Sequence, residues 1–226
     1  MLRNAFMLVS GNAFGSALLL VRNLIIARLV SPEDYGIAST FAVAMSIVEM
    51  LSYLGLNQMI VVDRDGDDPA VQKAMQGFQV LRGVLSSLIL FAIAVPYARF
   101  LGVEHVAWAY QVIAFIPLVN GLQHFDMHRL KRQMNSRPWI VTQAIPPLVS
   151  VLAVWPLAYL YGDYRIMLVC LFIQAGSMVA LSHVMAERRY ALGFDFALIR
   201  RATVFGWPLL LNGVLLFGVF NGERLI

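Results

Sequence analysis

Two ionisable side chains lie inside long apolar runs, where a charge is energetically costly. Arg22 lies in the run that ends at Val30, and Glu49 lies within the next run. At 1.5 Å per residue they are roughly 12 Å and 18 Å from the neighbouring ends of their runs, a difference that an arginine side chain largely covers. We expect Arg22 either to pair with Glu49 and join two helices or to face a cavity that binds an anion, and the two roles are compatible.

The composition predicts that the apolar runs span a membrane. Hydrophobic residues make up 60% of the 226 positions and charged residues 13%, whereas roughly a quarter of a soluble domain is charged. A bilayer core needs roughly 20 apolar residues in a helix, and the alternating pattern of barrel strands is missing. The predicted spans are Phe6–Val30, Ile37–Val62, Phe78–Leu101, Val106–Phe125, Trp139–Leu160, Ile166–Ala186 and Val204–Asn221.

The predicted fold class is therefore all-α, a polytopic bundle of transmembrane helices. Residues 1–186 would form a six-helix lobe, residues 187–203 a cytoplasmic linker, and residues 204–226 an incomplete seventh transmembrane helix. Gly11 and Gly15 have the spacing of small residues that lets two membrane helices approach closely.

Lysine and arginine are concentrated in alternate loops of the predicted bundle. Segments 64–82, 129–137 and 188–201 carry most of them, together with Arg3. Because short loops rich in these residues stay on the cytoplasmic side, the asymmetry predicts a cytoplasmic N-terminus. It also accounts for the basic stretch 128–138, so we expect no nucleic-acid partner.

Motifs for a nucleotide, a metal or a disulfide are missing or weak. Segment Gly11–Leu18 has glycines but lacks the lysine of a phosphate-binding loop. His124 and His128 flank Asp126 on one predicted helix face, yet no third ligand is marked, and an interfacial position explains both histidines. Cys170 is the single cysteine. We expect no cofactor, no metal and no enzymatic activity.

Neutral polar residues are scattered through the predicted spans. Hydrogen bonds between helices explain each of them singly. Their number still indicates that part of the bundle interior is wet, as a transporter requires. They are Asn23, Asn57, Gln58, Asn120, Gln123, Gln174 and Asn212.

Five segments occur in a characteristic order: IARLVSPEDYG (26–36), LSYLGLNQMIV (51–61), LRG (81–83), HRLKRQM (128–134) and FGWPLLLNGVLLFGVFNGERLI (205–226). Together they resemble the polysaccharide transporter branch of the MOP superfamily, the Wzx-like flippases. The resemblance implies export of undecaprenyl-diphosphate-linked oligosaccharide across the bacterial inner membrane for O-antigen, capsule or exopolysaccharide assembly. It also implies alternating access of a cavity between two six-helix lobes, and as partners the lipid-linked oligosaccharide, membrane lipid and polysaccharide assembly proteins.

The resemblance implies roles for individual charged residues as well. Cavity arginines in such flippases are thought to attract the diphosphate, so Arg22 is the first candidate, Arg82 near the cytoplasmic mouth the second and Arg28 the third. Glu49 is a candidate for ion coupling or for the charge pair. A full family member has about twice as many spans, so we expect residues 1–226 alone to be inactive in flipping.

Three alternative functions follow from other observations. A multidrug or cation antiporter of the same superfamily would rely on intramembrane acids, and here Glu49 is the only acid deep in a predicted span. An integral-membrane polymerase or ligase would need a sizeable outward loop, and the predicted outward loops are short. The third alternative is a scaffold in a polysaccharide assembly complex, without transport activity.

Overall fold

The chain is mainly helical in the part that the structure describes. The structure is a computed structural model that describes the backbone of residues 2–51 and 55–221 and the side chains of residues 11–46, 55–208 and 210–212. A short 3-10 helix, Glu104–Val106, precedes α5. The helices are α1 Leu2–Leu29, α2 Pro32–Leu51, α3 Leu56–Val62, α4 Pro69–Phe100, α5 Ala107–Ile113, α6 Ile116–Gly121, α7 Asp126–Arg132, α8 Arg137–Leu160, α9 Arg165–Val184 and α10 Phe196–Asn221.

Several of these helices are long and apolar enough to cross a membrane. Within the described residues, four qualify singly: Gly11–Leu29, Pro69–Phe100, Arg137–Leu160 and Arg165–Val184. A fifth span is possible if Glu104–Gly121 and Asp126–Arg132, which meet at a bend of 49°, are counted together. The predicted second and seventh spans lie partly outside the described residues. The all-α class is confirmed, and the chain has the character of a multi-pass membrane protein.

The predicted second span is two helices rather than one. The sequence pattern indicated a single span from Ile37 to Val62, but α2 ends at Leu51 and α3 begins at Leu56. Gly55, immediately before α3, has a φ of 59°, in the left-handed region that glycine adopts without a steric penalty. Hydropathy alone does not register this interruption of the helix.

The predicted fourth span is also interrupted. A continuous helix was expected over Val106–Phe125, but α5 ends at Ile113 and α6 begins at Ile116. Pro117 has no N–H to donate to the carbonyl of Ile113, so the helical ladder loses a hydrogen bond at this point. The result is a segmented element where the sequence predicted a continuous helix, and the 49° bend follows later, between Gly121 and Asp126.

Helix caps explain why two helices begin earlier than the predicted spans. Asp68 accepts a hydrogen bond from the N–H of Ala70 (2.8 Å) and α4 begins at Pro69, a favoured first residue. Asp195 accepts one from the N–H of Ala197 (2.8 Å) at the start of α10. A helix begins at its cap, whereas hydropathy marks only its apolar part.

The glycine pair of α1 confirms its predicted role in close packing. A Cβ on Gly11 would lie 3.0 Å from Cγ2 of Ile140, and one on Gly15 would lie 3.0 Å from the carbonyl oxygen of Gln143. Both neighbours belong to α8. The two glycines therefore bring α1 against α8, which in turn packs on α9.

Two apolar clusters lie toward opposite ends of α4. One packs around Leu90, Ala94 and Ala98, and the other around Ala74, Met75 and Phe78. The stretch of α4 between the clusters carries polar side chains instead. A cavity opens beside that stretch.

The segment between α9 and α10, residues 185–195, is shorter than the predicted linker and packs against α4. The N–H of Gly193 donates to the carbonyl of Lys73 (3.0 Å). A Cβ on Gly77 would overlap the backbone carbonyl of Gly193. This segment is therefore held to α4 by a backbone contact that requires glycine at position 77.

Gly77→Ala is expected to lower the free energy of unfolding by about 1–3 kcal/mol, because the new methyl group forces segment 185–195 away from α4. Thermal unfolding in detergent and tryptic cleavage at Arg188 and Arg189 would measure the change. Gly176→Ala is the matched control, since a Cβ there meets no atom within 4 Å. Equal stability and equal cleavage of the two variants would contradict the packing argument.

Candidate functional site

A polar cavity of about 450 Å³ occupies the interior of the helix bundle. Residues of α1, α2, α3, α4, α6, α7 and α9 line it, together with Gln123. Two arginines, Arg22 from α1 and Arg82 from α4, are in this lining. The structure therefore brings the first two predicted anion-binding residues to one cavity from different helices.

Arg22 is buried and held by side chains from two other helices. Only 4% of the surface of Arg22 is exposed to solvent. Nη1 donates to Oε1 of Gln174 on α9 (2.8 Å) and to Oγ of Ser150 on α8 (3.2 Å). Nη2 and Nε reach Oδ1 of Asn23 at 3.3 Å and 3.4 Å. These contacts fix the plane of the guanidinium group.

The support for Arg22 continues beyond its direct partners. The hydroxyl of Ser150 donates to the carbonyl of Cys170 (3.2 Å), and the thiol of Cys170 contacts the carbonyl of Ser150 (3.6 Å). This reciprocal contact ties α8 to α9 beside Arg22. Cys170 is fully buried.

The hydrogen-bond partners of Arg22 that the structure describes are all neutral. Amide and hydroxyl oxygens orient a guanidinium but do not cancel its charge. The interior of the bundle screens that charge less than water does, so an anion in the cavity would interact with it strongly. The predicted pairing with Glu49 stays a prediction, because that side chain lies outside the described residues.

Arg82 lies on the cavity face of α4. Gln79 and Ser86, three residues before it and four after it, line the same cavity because that spacing places them on one helix face. Arg82 is therefore part of the cavity wall and not of a loop, since α4 already begins at Pro69.

The side chain of Gln79 holds α6 and the residues that follow it against α4. Nε2 of Gln79 donates to the carbonyls of Gly121 (3.1 Å) and Gln123 (2.9 Å). A Cβ on Gly83 would lie 2.7 Å from the carbonyl oxygen of Pro117, so α4 and α6 are in close contact here. The segmented α5–α6 element is thereby fixed against the arginine-bearing face of α4.

Arg28 does not share this environment. It is exposed in the last turn of α1 and does not line the cavity. Six residues after Arg22, an α-helix has turned by about 240°, so the two side chains leave the helix in different directions. The structure therefore places two of the three predicted arginines in the lining of one cavity and the third outside it.

Four of the neutral polar residues singled out in the sequence also line this cavity, and so do three that the sequence pattern did not single out. The four are Asn57, Asn120, Gln123 and Gln174; the three are Ser46, Gln79 and Ser86. Gln79 and Ser86 could have been found from their helical spacing to Arg82. Two guanidinium groups among amides and hydroxyls form a site suited to a phosphate or diphosphate.

A buried ion pair between Asp126 and Arg129 lies at the start of α7. We call this pair and its hydrogen-bond partners the Asp126 network. Nε of Arg129 donates to Oδ1 of Asp126 (2.5 Å), and both side chains are almost completely buried. The backbone N–H groups of Glu187 and Arg188 donate to Oδ2 of Asp126 (2.8 Å and 3.2 Å). Gln72 of α4 donates to Oδ1 (3.1 Å). One carboxylate therefore joins α4, α7 and segment 185–195.

Tyr190 of segment 185–195 packs against two histidine rings at this end of the bundle. The ring of Tyr190 lies 5.5 Å from that of His124 and 4.9 Å from that of His183, measured between centroids. Burial raises the pKa of the Tyr190 hydroxyl above its ordinary value. The hydroxyl is therefore neutral at physiological pH and accepts a hydrogen bond from Gln76 (3.4 Å).

The two histidines flanking Asp126 do not share a helix, contrary to the sequence interpretation. His124 precedes α7, and its Nδ1 accepts the N–H of Asp126 (3.1 Å), whereas His128 lies within α7. The chain bends between the two positions. Within the described residues, no group of three or more His, Cys, Asp or Glu side chains is placed to hold a metal ion.

Comparison with known proteins identifies the family. A family model described as "Polysaccharide biosynthesis protein" matches residues 25–226. The succinoglycan biosynthesis transport protein ExoT of Rhizobium meliloti (strain 1021) is 30% identical over 185 residues, which cover 78% of this chain and 35% of that protein. The chain thus spans about a third of the length of this relative. No solved structure matches the chain. The match over nearly all of its length confirms the resemblance, and the chain belongs to the polysaccharide biosynthesis family of membrane transporters.

Proposed function

We propose that this chain forms the part of a bacterial polysaccharide exporter that binds the diphosphate of a lipid-linked oligosaccharide. The exporter moves this lipid across the inner membrane by alternating access of the cavity to the two sides. Its N-terminus faces the cytoplasm, following the distribution of lysine and arginine in the loops. Because the chain spans 35% of the ExoT protein, export is proposed for the whole transporter.

The observation that carries the proposal is the convergence of Arg22 and Arg82 on one cavity. A diphosphate offers oxygen atoms on two phosphorus centres, and two guanidinium groups from different helices can each bind one of them. Among the described residues of the lining, the acidic types are missing, which favours an anionic ligand over the cation of an antiporter. The similarity to ExoT, a succinoglycan biosynthesis transport protein, supports a polysaccharide as the cargo.

Arg82→Gln is expected to weaken the binding of undecaprenyl diphosphate by about 10-fold to 100-fold, because a hydrogen bond to a charged group contributes about 1.5–3 kcal/mol. Binding would be measured on the purified protein in lipid nanodiscs by native mass spectrometry. Undecaprenol, which lacks the diphosphate, should bind the variant and the unmodified protein equally.

Arg28→Gln is the matched control, since it removes the same charge from an exposed position outside the cavity lining. Its binding of undecaprenyl diphosphate should be nearly unchanged. The proposed function would be wrong if the unmodified protein did not distinguish undecaprenyl diphosphate from undecaprenol, or if the two glutamine variants behaved alike.

A further inference from the structure

A second, smaller cavity adjoins the arginine cavity between α1, α8 and α9. Its volume is about 260 Å³, and we call it the α1–α8 groove. Leu19, Gln174 and Met178 line both spaces, so the groove and the arginine cavity share a wall. A ligand bound at Arg22 is therefore next to the groove.

Two prolines leave backbone acceptors on the α8 side of the groove. Pro146 and Pro147 have no N–H, so they cannot donate to the carbonyls of Thr142 and Gln143, four residues earlier in the helix. Both Thr142 and Gln143 line the groove. The carbonyl oxygen of Gln143 faces α1, since it lies 3.0 Å from the position of a Cβ on Gly15.

Gln174 contributes hydrogen-bond donors to the same space. An arginine has donors only, so the bond from Arg22 must end on Oε1 of Gln174 and not on its nitrogen. This fixes the orientation of the amide and directs its NH₂ group away from Arg22. The residue that links the two cavities thus accepts from the arginine and can donate to a ligand in the groove.

The groove residues of α1 include polar side chains, although they lie in the membrane-spanning part of the helix, where side chains that face lipid are apolar. Asn12 and Ser16 are exposed, four residues apart on one helix face, within the membrane-spanning part of α1. The large exposed side chains of the same span include Phe14, Leu20 and Leu24. Polar groups exposed at this depth normally have a polar partner or face water.

We propose that the α1–α8 groove binds a neutral, hydroxyl-rich group, a sugar unit of the saccharide whose diphosphate lies at Arg22. This inference rests on the proposed function. The polar side chains of the groove are all uncharged, namely Asn12, Ser16, Thr142, Gln143 and Gln174. Backbone carbonyls, amides and a hydroxyl supply the mixture of acceptors and donors that sugar hydroxyls require. The volume is below the roughly 300 Å³ of drug-sized pockets, which suits a single sugar ring.

The test compares two lipids on the purified protein in nanodiscs: undecaprenyl diphosphate, and the same lipid carrying one galactose. Gln143→Leu, which keeps the size of the side chain, is expected to weaken binding of the galactose-bearing lipid about fivefold to tenfold, the effect of one lost hydrogen bond. Binding of the sugar-free lipid should stay unchanged. Ser16→Ala, a small change at an exposed position that leaves folding intact, should show the same selective loss.

Gln111→Leu is the matched control, because Gln111 lies on α5 and lines neither cavity. It should bind both lipids like the unmodified protein. If Gln143→Leu and Ser16→Ala bind the galactose-bearing lipid as tightly as the control, or weaken both lipids equally, the sugar site is overturned while the diphosphate site stands. If the unmodified protein binds neither lipid, the proposed function fails and the sugar site fails with it.

Discussion

Arg22→Lys is expected to lose most polysaccharide export although the positive charge remains. The guanidinium donates to Gln174 and Ser150 at the same time and lies in the cavity lining. A lysine ammonium is a compact point charge on a flexible stem, so it cannot keep both of these contacts and at the same time present an N–H group to a phosphate. The expected loss of ligand affinity is about 10-fold to 100-fold. Because export is proposed for the whole transporter, the variants would be made in the full-length protein, and export would be measured in a strain whose own transporter gene is deleted.

The level of protein in the membrane separates a binding role from a structural one. Arg22→Ala should reduce export much more than it reduces the amount of protein inserted, because neutral partners on α8 and α9 remain to pair with each other or with water. If Arg22→Ala yields no stable protein, the arginine primarily joins helices, as the predicted pair with Glu49 would require. If Arg22→Lys exports normally, a simple positive charge is sufficient and the fixed geometry of the guanidinium is not required.

Asp126→Ala is expected to lower the free energy of unfolding by about 3–5 kcal/mol, the usual consequence of removing one partner from a buried ion pair. The change leaves the guanidinium of Arg129 buried without its closest acid, and it removes the acceptor for two backbone N–H groups of segment 185–195. Thermal unfolding in detergent would record the loss. Tryptic cleavage within the segment should increase at the same time.

Glu187→Gln provides the contrast, because Glu187 also pairs with Arg129 (3.0 Å) but its side chain is 60% exposed. A solvent-screened ion pair contributes less than about 1 kcal/mol, so this variant should unfold almost like the unmodified protein. The double variant Asp126→Leu with Arg129→Met should recover part of the stability lost in Asp126→Ala, since it removes both buried charges. Equal destabilisation by Asp126→Ala and Glu187→Gln would show that burial does not set the strength of the network.

Part of the candidate site could be predicted because membrane depth makes a charge conspicuous. Arg22 stands out in an apolar run, and its cost in lipid implies an interior position. Arg82 was harder to place, since hydropathy begins the third span only at Phe78 and so puts this arginine near the cytoplasmic mouth. The cap at Asp68 starts the helix earlier and makes Arg82 part of the cavity wall.

Other parts of the site depend on contacts between residues far apart in the chain. In the sequence, Asp126 is notable only because it lies between two histidines. No local pattern indicates that it accepts hydrogen bonds from segment 185–195. Ser150 and Cys170 likewise lie in apolar runs. Their role in positioning Arg22 follows only from the contact between them and from the hydrogen bond of Ser150 with Arg22. Periodicity describes one helix at a time, so it cannot identify the helix against which a face packs.

The sequence by itself determined the membrane character, the all-α class, the close-packing glycines of α1 and the family, because each depends on composition, local spacing or the order of segments along the chain. Only the tertiary structure decided that α2 and α3 are separate helices, that Arg22 and Arg82 share a cavity while Arg28 does not, and that a polar groove continues beside Gln174. The physical reason is that lipid selects for apolar length in each span separately. The cavity, in contrast, is created by which helices meet, by the helix break at Gly55 and by the backbone hydrogen bonds that the prolines remove.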